Sequence, residues 1–241
     1  MNISELEPKV VWKNFSNLNA VPRPSKKEEK VIAFIKKFGE DLGLPTEVDM
    51  VGNVIIRKPA TAGMENRKTV VLQSHLDMVV QKNSDVNFDF DTQGIEMETD
   101  GDWVKAKGTT LGADNGLGVA AIMSLLESDN IPHPALEALF TIDEETGMTG
   151  AMGLKEGTLT GEILLNLDTE EDDEIDIGCA GGIDVTATAK YELTETEGQI
   201  VKISITGLQG GHSGMDIDKG FGNANVILGR LLFTGLNQNL Q

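Results

Sequence analysis

Three apolar runs in this chain each stop at side chains able to bind a cation. Val70-Val-Leu-Gln-Ser leads into His75-Leu-Asp77, residues 136–142 lead into Asp143-Glu144-Glu145, and residues 162–167 lead into Asp168. Short runs of this kind are the pattern of strands buried on both faces. Helix-like stretches lie between them, so strands alternate with helices. That order predicts an α/β fold: a mixed, mainly parallel sheet with helices on both faces. In such sheets ligands collect at the carboxyl ends of the strands, where these His, Asp and Glu residues stand.

The remaining elements are read the same way. A short amphipathic helix is expected around residues 8–19. Ser25-Lys-Lys-Glu28 reads as a capping box that opens a second helix. Its apolar face is Val31, Ile32, Phe34, Ile35, Phe38 and Leu42, and Gly43-Leu-Pro45 ends it. Residues 46–50 and 53–57 read as strands around a Val51-Gly52 turn, and residues 115–127 as a buried helix. After about Gly182 the character changes. Residues 183–193 and 199–208 alternate like hairpin strands, a glycine-rich loop over 207–214 carries His212, and an apolar helix is expected around 223–233. Two domains follow from this: an α/β domain over 1–182, then the start of a smaller α+β domain over 183–241.

Charge narrows the function classes. Lys and Arg number 20 against 39 Asp and Glu, a formal net charge of −19 over 241 residues. That charge repels nucleic acids and anionic membrane surfaces, and leaves metal cations and small substrates as partners. The one cysteine, Cys179, excludes an intrachain disulfide framework and points to a reducing compartment. The opening residues are acidic and unlike a secretory signal, and no run approaches the ~20 apolar residues of a membrane span. A cytoplasmic protein is expected.

The chemistry is read from the strand ends. On an extended chain, residues two apart point the same way, so Asp77 can hold one imidazole nitrogen of His75 while the other binds a metal. Asp114, in Gly112-Ala-Asp114-Asn-Gly116, precedes the buried helix with a spacing unlike a dinucleotide loop. A carboxylate there is stabilised by the helix dipole and can bridge two cations; an N-terminal cap at Asp114 or Asn115 is the plainer reading. Glu144 and Glu145 can diverge, one toward a metal and the other toward a substrate water as base, or they can form a solvated acidic loop. Seven of the nine residues 168–176 are acidic, without the spacing of a calcium loop, which leaves Asp168 at the strand tip. A set of imidazole and carboxylates suits zinc, manganese or cobalt. Two such ions ~3.5–4 Å apart would share Asp114.

Taken together, Ser74-His75-Leu-Asp77-Met, Gly112-Ala-Asp114-Asn-Gly116, Asp143-Glu144-Glu145-Thr-Gly147 and Asn166-Leu-Asp168 resemble the zinc-site motifs of the cocatalytic dimetal peptidases. That family includes aminotripeptidases, carboxypeptidase G and amino-acid deacylases. Lys58-Pro-Ala-Thr-Ala-Gly-Met-Glu-Asn-Arg67, Lys107-Gly-Thr-Thr-Leu-Gly-Ala-Asp114 and Gly178-Cys-Ala-Gly-Gly-Ile183 resemble its bacterial aminoacyl-histidine dipeptidases in particular.

The resemblance runs through essentially the whole chain. It implies a metal-dependent dipeptidase acting on short peptides, Xaa-His dipeptides such as carnosine foremost. The cofactors implied are two divalent metal ions bridged by a water, zinc first, with manganese or cobalt as alternatives. His75 and Asp168 would hold one metal, Asp114 would bridge the pair, and Glu145 would hold the second. Glu144 would be the general base, Asp77 would orient His75, and His212 would steady the oxyanion from a lid. His133, between two prolines, receives no task.

The resemblance further implies that 1–182 is an incomplete catalytic domain and 183–241 the front of a lid able to mediate a homodimer. The chain then corresponds to the N-terminal portion of a longer enzyme, whose later part supplies another histidine to the second metal. Such a portion is not expected to be fully active alone. The partner implied is a small peptide, with no nucleic acid and no membrane. Two alternatives stay open: a tripeptide aminopeptidase or N-acyl amino acid deacylase with the same dimetal site, and a non-catalytic acidic metal-binding module.

Overall fold

A computed structural model describes residues 3–169, 173–179, 181, 183, 185–195, 197–211 and 216–237. The chain divides into two units, Met1–Ile177 and Gly178–Gln241.

The first unit opens with α1 (Lys9–Asn19) and α2 (Glu29–Asp41). Apolar residues at helical spacing are what these segments bury: Phe15 and Leu18 from α1, Val31 and Ile35 from α2. The second helix starts at Glu29, later than the capping box predicts, and its N-cap position makes no side-chain cap bond. The two capping-box residues are drawn elsewhere. The Ser25 hydroxyl donates to Asp77 Oδ2 at 2.7 Å, and Glu28 Oε1 accepts from the backbone N–H groups of Lys26 and Asp143 at 2.9 and 3.1 Å. Ser25 is thus claimed by a distant acceptor, and Glu28 is shared between a local N–H and a distant one, so the expected cap does not form.

A five-stranded sheet follows, with β1 (Thr46–Val48), β2 (Val54–Lys58), β3 (Val70–His75), β6 (Leu136–Thr141) and β7 (Ile163–Asn166) in the order β1-β2-β6-β3-β7. The β1–β2 and β2–β6 pairs are antiparallel, whereas β6–β3 and β3–β7 are parallel. Every strand except β2 therefore runs in one direction. The register pairs His75 with Thr141 and Gln73 with Asn166, which sets the carboxyl ends of β3, β6 and β7 side by side.

One face of this sheet carries α1, α2 and α3 (Ala113–Glu127), whose Val119, Ile122 and Met123 share a core with Leu72, Ala138 and Phe140. The other face has a smaller cluster of Ile55, Val71 and Leu139 under Leu154 and Leu159, beside the short α4 (Thr149–Gly153). A separate hairpin, β4 (Met97–Asp100) and β5 (Trp103–Ala106), lies outside the five-stranded sheet and is not expected from the sequence. The run expected as a buried strand over 162–167 forms β7, but it is exposed: Leu164 keeps 61% of its surface. Apolar content shows that a strand can be covered, and among the described residues nothing covers this edge.

In the second unit, the hairpin strands expected over 183–193 and 199–208 are absent among the described residues. Ile183, Tyr191, Leu193 and Ile200 are almost fully exposed. An alternating sequence forms a strand only where a paired neighbour and a buried face reward it, and these residues have neither. The apolar helix does form, as α5 (Ala224–Asn237). His212 lies outside the described residues. No helix among the described residues is long and apolar enough to cross a membrane.

Glu137 on β6 shows how the sheet is locked to the loop before β7. It is 2% exposed and accepts from the N–H groups of Thr160 and Gly161, both at 2.8 Å, and from Arg57 Nε at 3.2 Å. Burial pushes its pKa up, but these donors outweigh burial and hold it below the usual 4.5. Glu137→Gln is expected to cost ~1–3 kcal/mol of stability at neutral pH in urea denaturation. Because the folded-state pKa is the lower one, that advantage exists above the unfolded pKa and is lost as pH falls through the folded one. The gap between the two proteins should therefore narrow in acid.

Candidate metal centre

His75 sits at the tip of β3 with its side chain 1% exposed. Its Nδ1 lies 3.1 Å from the Asp77 backbone carbonyl and 3.3 Å from Asp77 Oδ1. The other ring nitrogen, Nε2, faces three carboxylates: Asp114 Oδ1 at 3.1 Å, Glu144 Oε2 at 3.9 Å and Asp168 Oδ2 at 3.9 Å. Two groups of potential ligands share this histidine, His75 with Asp114 and Asp168, and His75 with Glu144 and Glu145. Within each group the ligand atoms lie within 4.8 Å of one another. The structure thus brings together His75, Asp114, Glu144, Glu145 and Asp168, with Asp77 beneath them.

Each side chain is held there by its own element. Asp114 follows the left-handed Gly112 and precedes the regular part of α3, with φ and ψ of −81° and 114°. The adjoining Asn115, expected at most to cap the helix, instead donates through Nδ2 to the Leu167 carbonyl at 2.6 Å and to Asp168 Oδ1 at 3.1 Å. It ties the head of α3 to the end of β7. The buried Asp77 accepts from the N–H groups of Glu144 and Glu145 at 3.0 and 3.2 Å, besides the Ser25 hydroxyl. Asp143, at φ 52°, turns inward and accepts from the hydroxyls of Thr146 and Thr149. Of three consecutive carboxylates, one is therefore structural, while Glu144 and Glu145 reach the histidine.

A further trio of buried carboxylates, Glu28, Asp77 and Asp143, also has oxygens within 4.8 Å of one another. Their oxygens already accept the backbone, hydroxyl and imidazole donors just described, so the trio supports the site and has few lone pairs to offer a cation. His133 lies apart from the cluster, its Nδ1 2.7 Å from the Pro134 carbonyl.

Electrostatics separates the supporting groups from the reactive ones. Burial pulls the His75 pKa down, but Asp114, Asp77 and Asp168 raise it to about 10. Asp77 is pushed up by burial and drawn down to about 2 by His75, Ser25 and the Glu144 N–H, so it stays ionised. Burial and then the charge of Asp114 raise Glu145 to about 7. Glu144 and Asp168 are raised as well, first by burial; His75 pulls both back down and the surrounding carboxylates add to the rise. Beyond the effect of burial, these shifts reflect an excess of negative charge at the strand ends. One imidazole nitrogen and several convergent carboxylate oxygens fit a divalent transition-metal ion, which would offset that excess.

No protein-family model matches the chain. It is 49% identical over 232 residues to the cytosol non-specific dipeptidase of Escherichia coli (strain K12), a match covering 95% of this chain and 48% of that protein. It is 27% identical over 224 residues to the uncharacterized protein YqjE of Bacillus subtilis (strain 168), covering 88% of this chain and 53% of that one. Among solved structures, aminoacylhistidine dipeptidase from Vibrio alginolyticus matches with a TM-score of 0.75 at 46% identity, over 96% of this chain and 48% of that one. Aminopeptidase PepT from Bacillus cereus ATCC 10987 matches with a TM-score of 0.59 at 26% identity, over 69% of this chain and 44% of that one. The chain spans about half the length of the curated relatives it matches.

In the chain stripped of metal by a chelator, the His75 imidazole is expected to stay protonated well above neutral pH and to titrate at about 10. Asp77→Asn and Asp114→Asn each remove a neighbouring negative charge and should lower that pKa, as read from imidazole NMR resonances.

Proposed function

We propose that this chain, a relative of the cytosol non-specific dipeptidase, carries the metal-binding core of a metal-dependent cytoplasmic dipeptidase. The substrates are short peptides, with Xaa-His dipeptides such as carnosine as the preferred class. The observation that carries the reading is the convergence of Asp114, Glu144 and Asp168, from three separate segments, on His75 Nε2. The likeness to two dipeptidases supports the reaction class. Activity, substrate and partners here are those of a whole protein of the relatives' length.

In this reading two divalent ions, zinc first with manganese or cobalt as alternatives, are held by His75, Asp114, Glu145 and Asp168. His75 and Asp168 serve one ion, Glu145 serves the other, and Asp114 is shared. Bound there, the ions supply Lewis acidity to the scissile carbonyl and to water. The chain's own groups do the rest. Asp77 keeps the proton on His75 Nδ1 and leaves Nε2 as the ligand atom. Glu144, its backbone fixed by Asp77, takes a proton at its carboxylate and delivers it to the leaving amine; a raised pKa suits that task near neutral pH. His212 is assigned the oxyanion by likeness of its loop. Residues 1–182 are assigned to the catalytic domain, and 183–241 to a lid that can mediate a homodimer.

The likeness to aminopeptidase PepT makes a tripeptide aminopeptidase, or a deacylase with the same site, the second reading. Glu144→Ala, in the protein at its relatives' length, is expected to lower carnosine hydrolysis at least ~10²-fold while stoichiometric metal is retained. Hydrolysis that survives the change would refute the assignment of the base. A panel of carnosine, tripeptides and acylated amino acids separates the two enzyme readings. Bound metal without turnover of any of them would favour a non-catalytic metal-binding module.

A further inference from the structure

Arg23 is buried, 2% exposed, and lies directly before Pro24 and the turn into α2. Burying a guanidinium is costly unless hydrogen bonds and nearby opposite charge compensate it; here the two Nη groups supply the bonds, while Nε has no partner among the described residues. Nη1 donates to the carbonyls of Leu76 and Asp77 at 3.1 and 3.3 Å. Nη2 donates to the Gly112 carbonyl at 2.6 Å and to Asn19 Oδ1 at 3.0 Å. Those carbonyls belong to the residues just after His75 and to the residue two before Asp114. The Asp77 carbonyl is also the one that faces His75 Nδ1 at 3.1 Å.

The glycines around the guanidinium agree with this placement. A Cβ on Gly112 would stand 2.4 Å from Nη2, and one on Gly116 would stand 2.7 Å from it. Both positions must stay bare for the fork to reach between the loops. Asp77 and Asp114 raise the Arg23 pKa against the larger effect of burial, so the cation is also placed to offset site carboxylates.

We infer that Arg23 is a positioning residue of the metal centre, its guanidinium clamping loop 75–77 to loop 112–114 so that His75 and Asp114 meet at a set distance. The inference rests on the proposed metal-binding reading. A lysine keeps the charge but cannot bridge both loops, because its single ammonium lacks the planar fork.

The test is zinc affinity of the chelator-stripped chain, measured by competition with a chromophoric chelator, with circular dichroism and thermal melting as controls for folding. Arg23→Lys and Arg23→Met are both expected to weaken zinc binding by ~10–100-fold, the usual range for a group that orients a ligand. Unchanged affinity in either folded variant overturns the clamp, as does a lysine variant that restores what the methionine variant loses. If the arginine variants do not fold, Asn19→Ala removes one anchor of the fork and is expected to weaken zinc binding several-fold. Unchanged affinity there overturns the clamp too. An unmodified chain that takes up no stoichiometric zinc would sink the metal-binding reading, and the clamp with it. Zinc bound normally by the unmodified chain and equally by the variants would sink the clamp alone.

Discussion

The buried carboxylate of Asp77 joins three parts of the chain that are far apart in sequence. It faces His75 Nδ1 at the end of β3, accepts from Ser25 ahead of α2, and accepts from the backbone of Glu144 and Glu145 after β6. A carboxylate supplied with this many donors stays ionised even when buried, which its pKa of about 2 expresses. The ends of two adjacent parallel strands are thereby fixed to each other. What this leaves is a buried His75 Nε2 turned toward the partly exposed carboxylates of Asp114, Glu144 and Asp168.

The sheet makes that junction possible. Since β6, β3 and β7 are parallel and in register, their tips lie side by side, and α3 begins where those tips end. Burial raises the pKa values of Glu144, Glu145 and Asp168 first and the neighbouring carboxylates add to the rise, so bringing these groups together with Asp114 creates a conflict that works against folding. Two features relieve it from below, the charge on His75 and the buried guanidinium of Arg23. A divalent ion would relieve it from above. The site is electrostatically strained as a bare protein surface and reasonable as a cation-binding one.

The parts legible in sequence are those in which local chemistry and fold agree. The apolar runs of β3 and β6 read as buried strands and form them, with His75 at the tip of one and Glu144 and Glu145 just past the other. Asp114 and Asp168 stand out by their places before a helix and after a strand, although Asp114 taken alone reads first as a helix cap. What escaped was decided by distant partners. Ser25 and Glu28 look like a capping box, yet the distant Asp77 claims Ser25, and the distant Asp143 N–H shares Glu28 with Lys26. Asn115 and Arg23 act through carbonyls 52 to 89 residues away, which no local pattern reveals. The alternating segments after Gly182 have strand chemistry, yet their described residues are largely exposed, as are those of β7 in the first unit.

A crystal of the chain grown with zinc, with the ions located by anomalous scattering, bears most directly on the claim that these strand ends form a metal centre. The expected result is one zinc bonded to His75 Nε2 at ~2.0–2.1 Å together with Asp114 and Asp168, and a second zinc position touching Asp114 and Glu145. Zinc held instead by the buried trio of Glu28, Asp77 and Asp143, or only along the acidic stretch 168–176 with His75 unbonded, would contradict it.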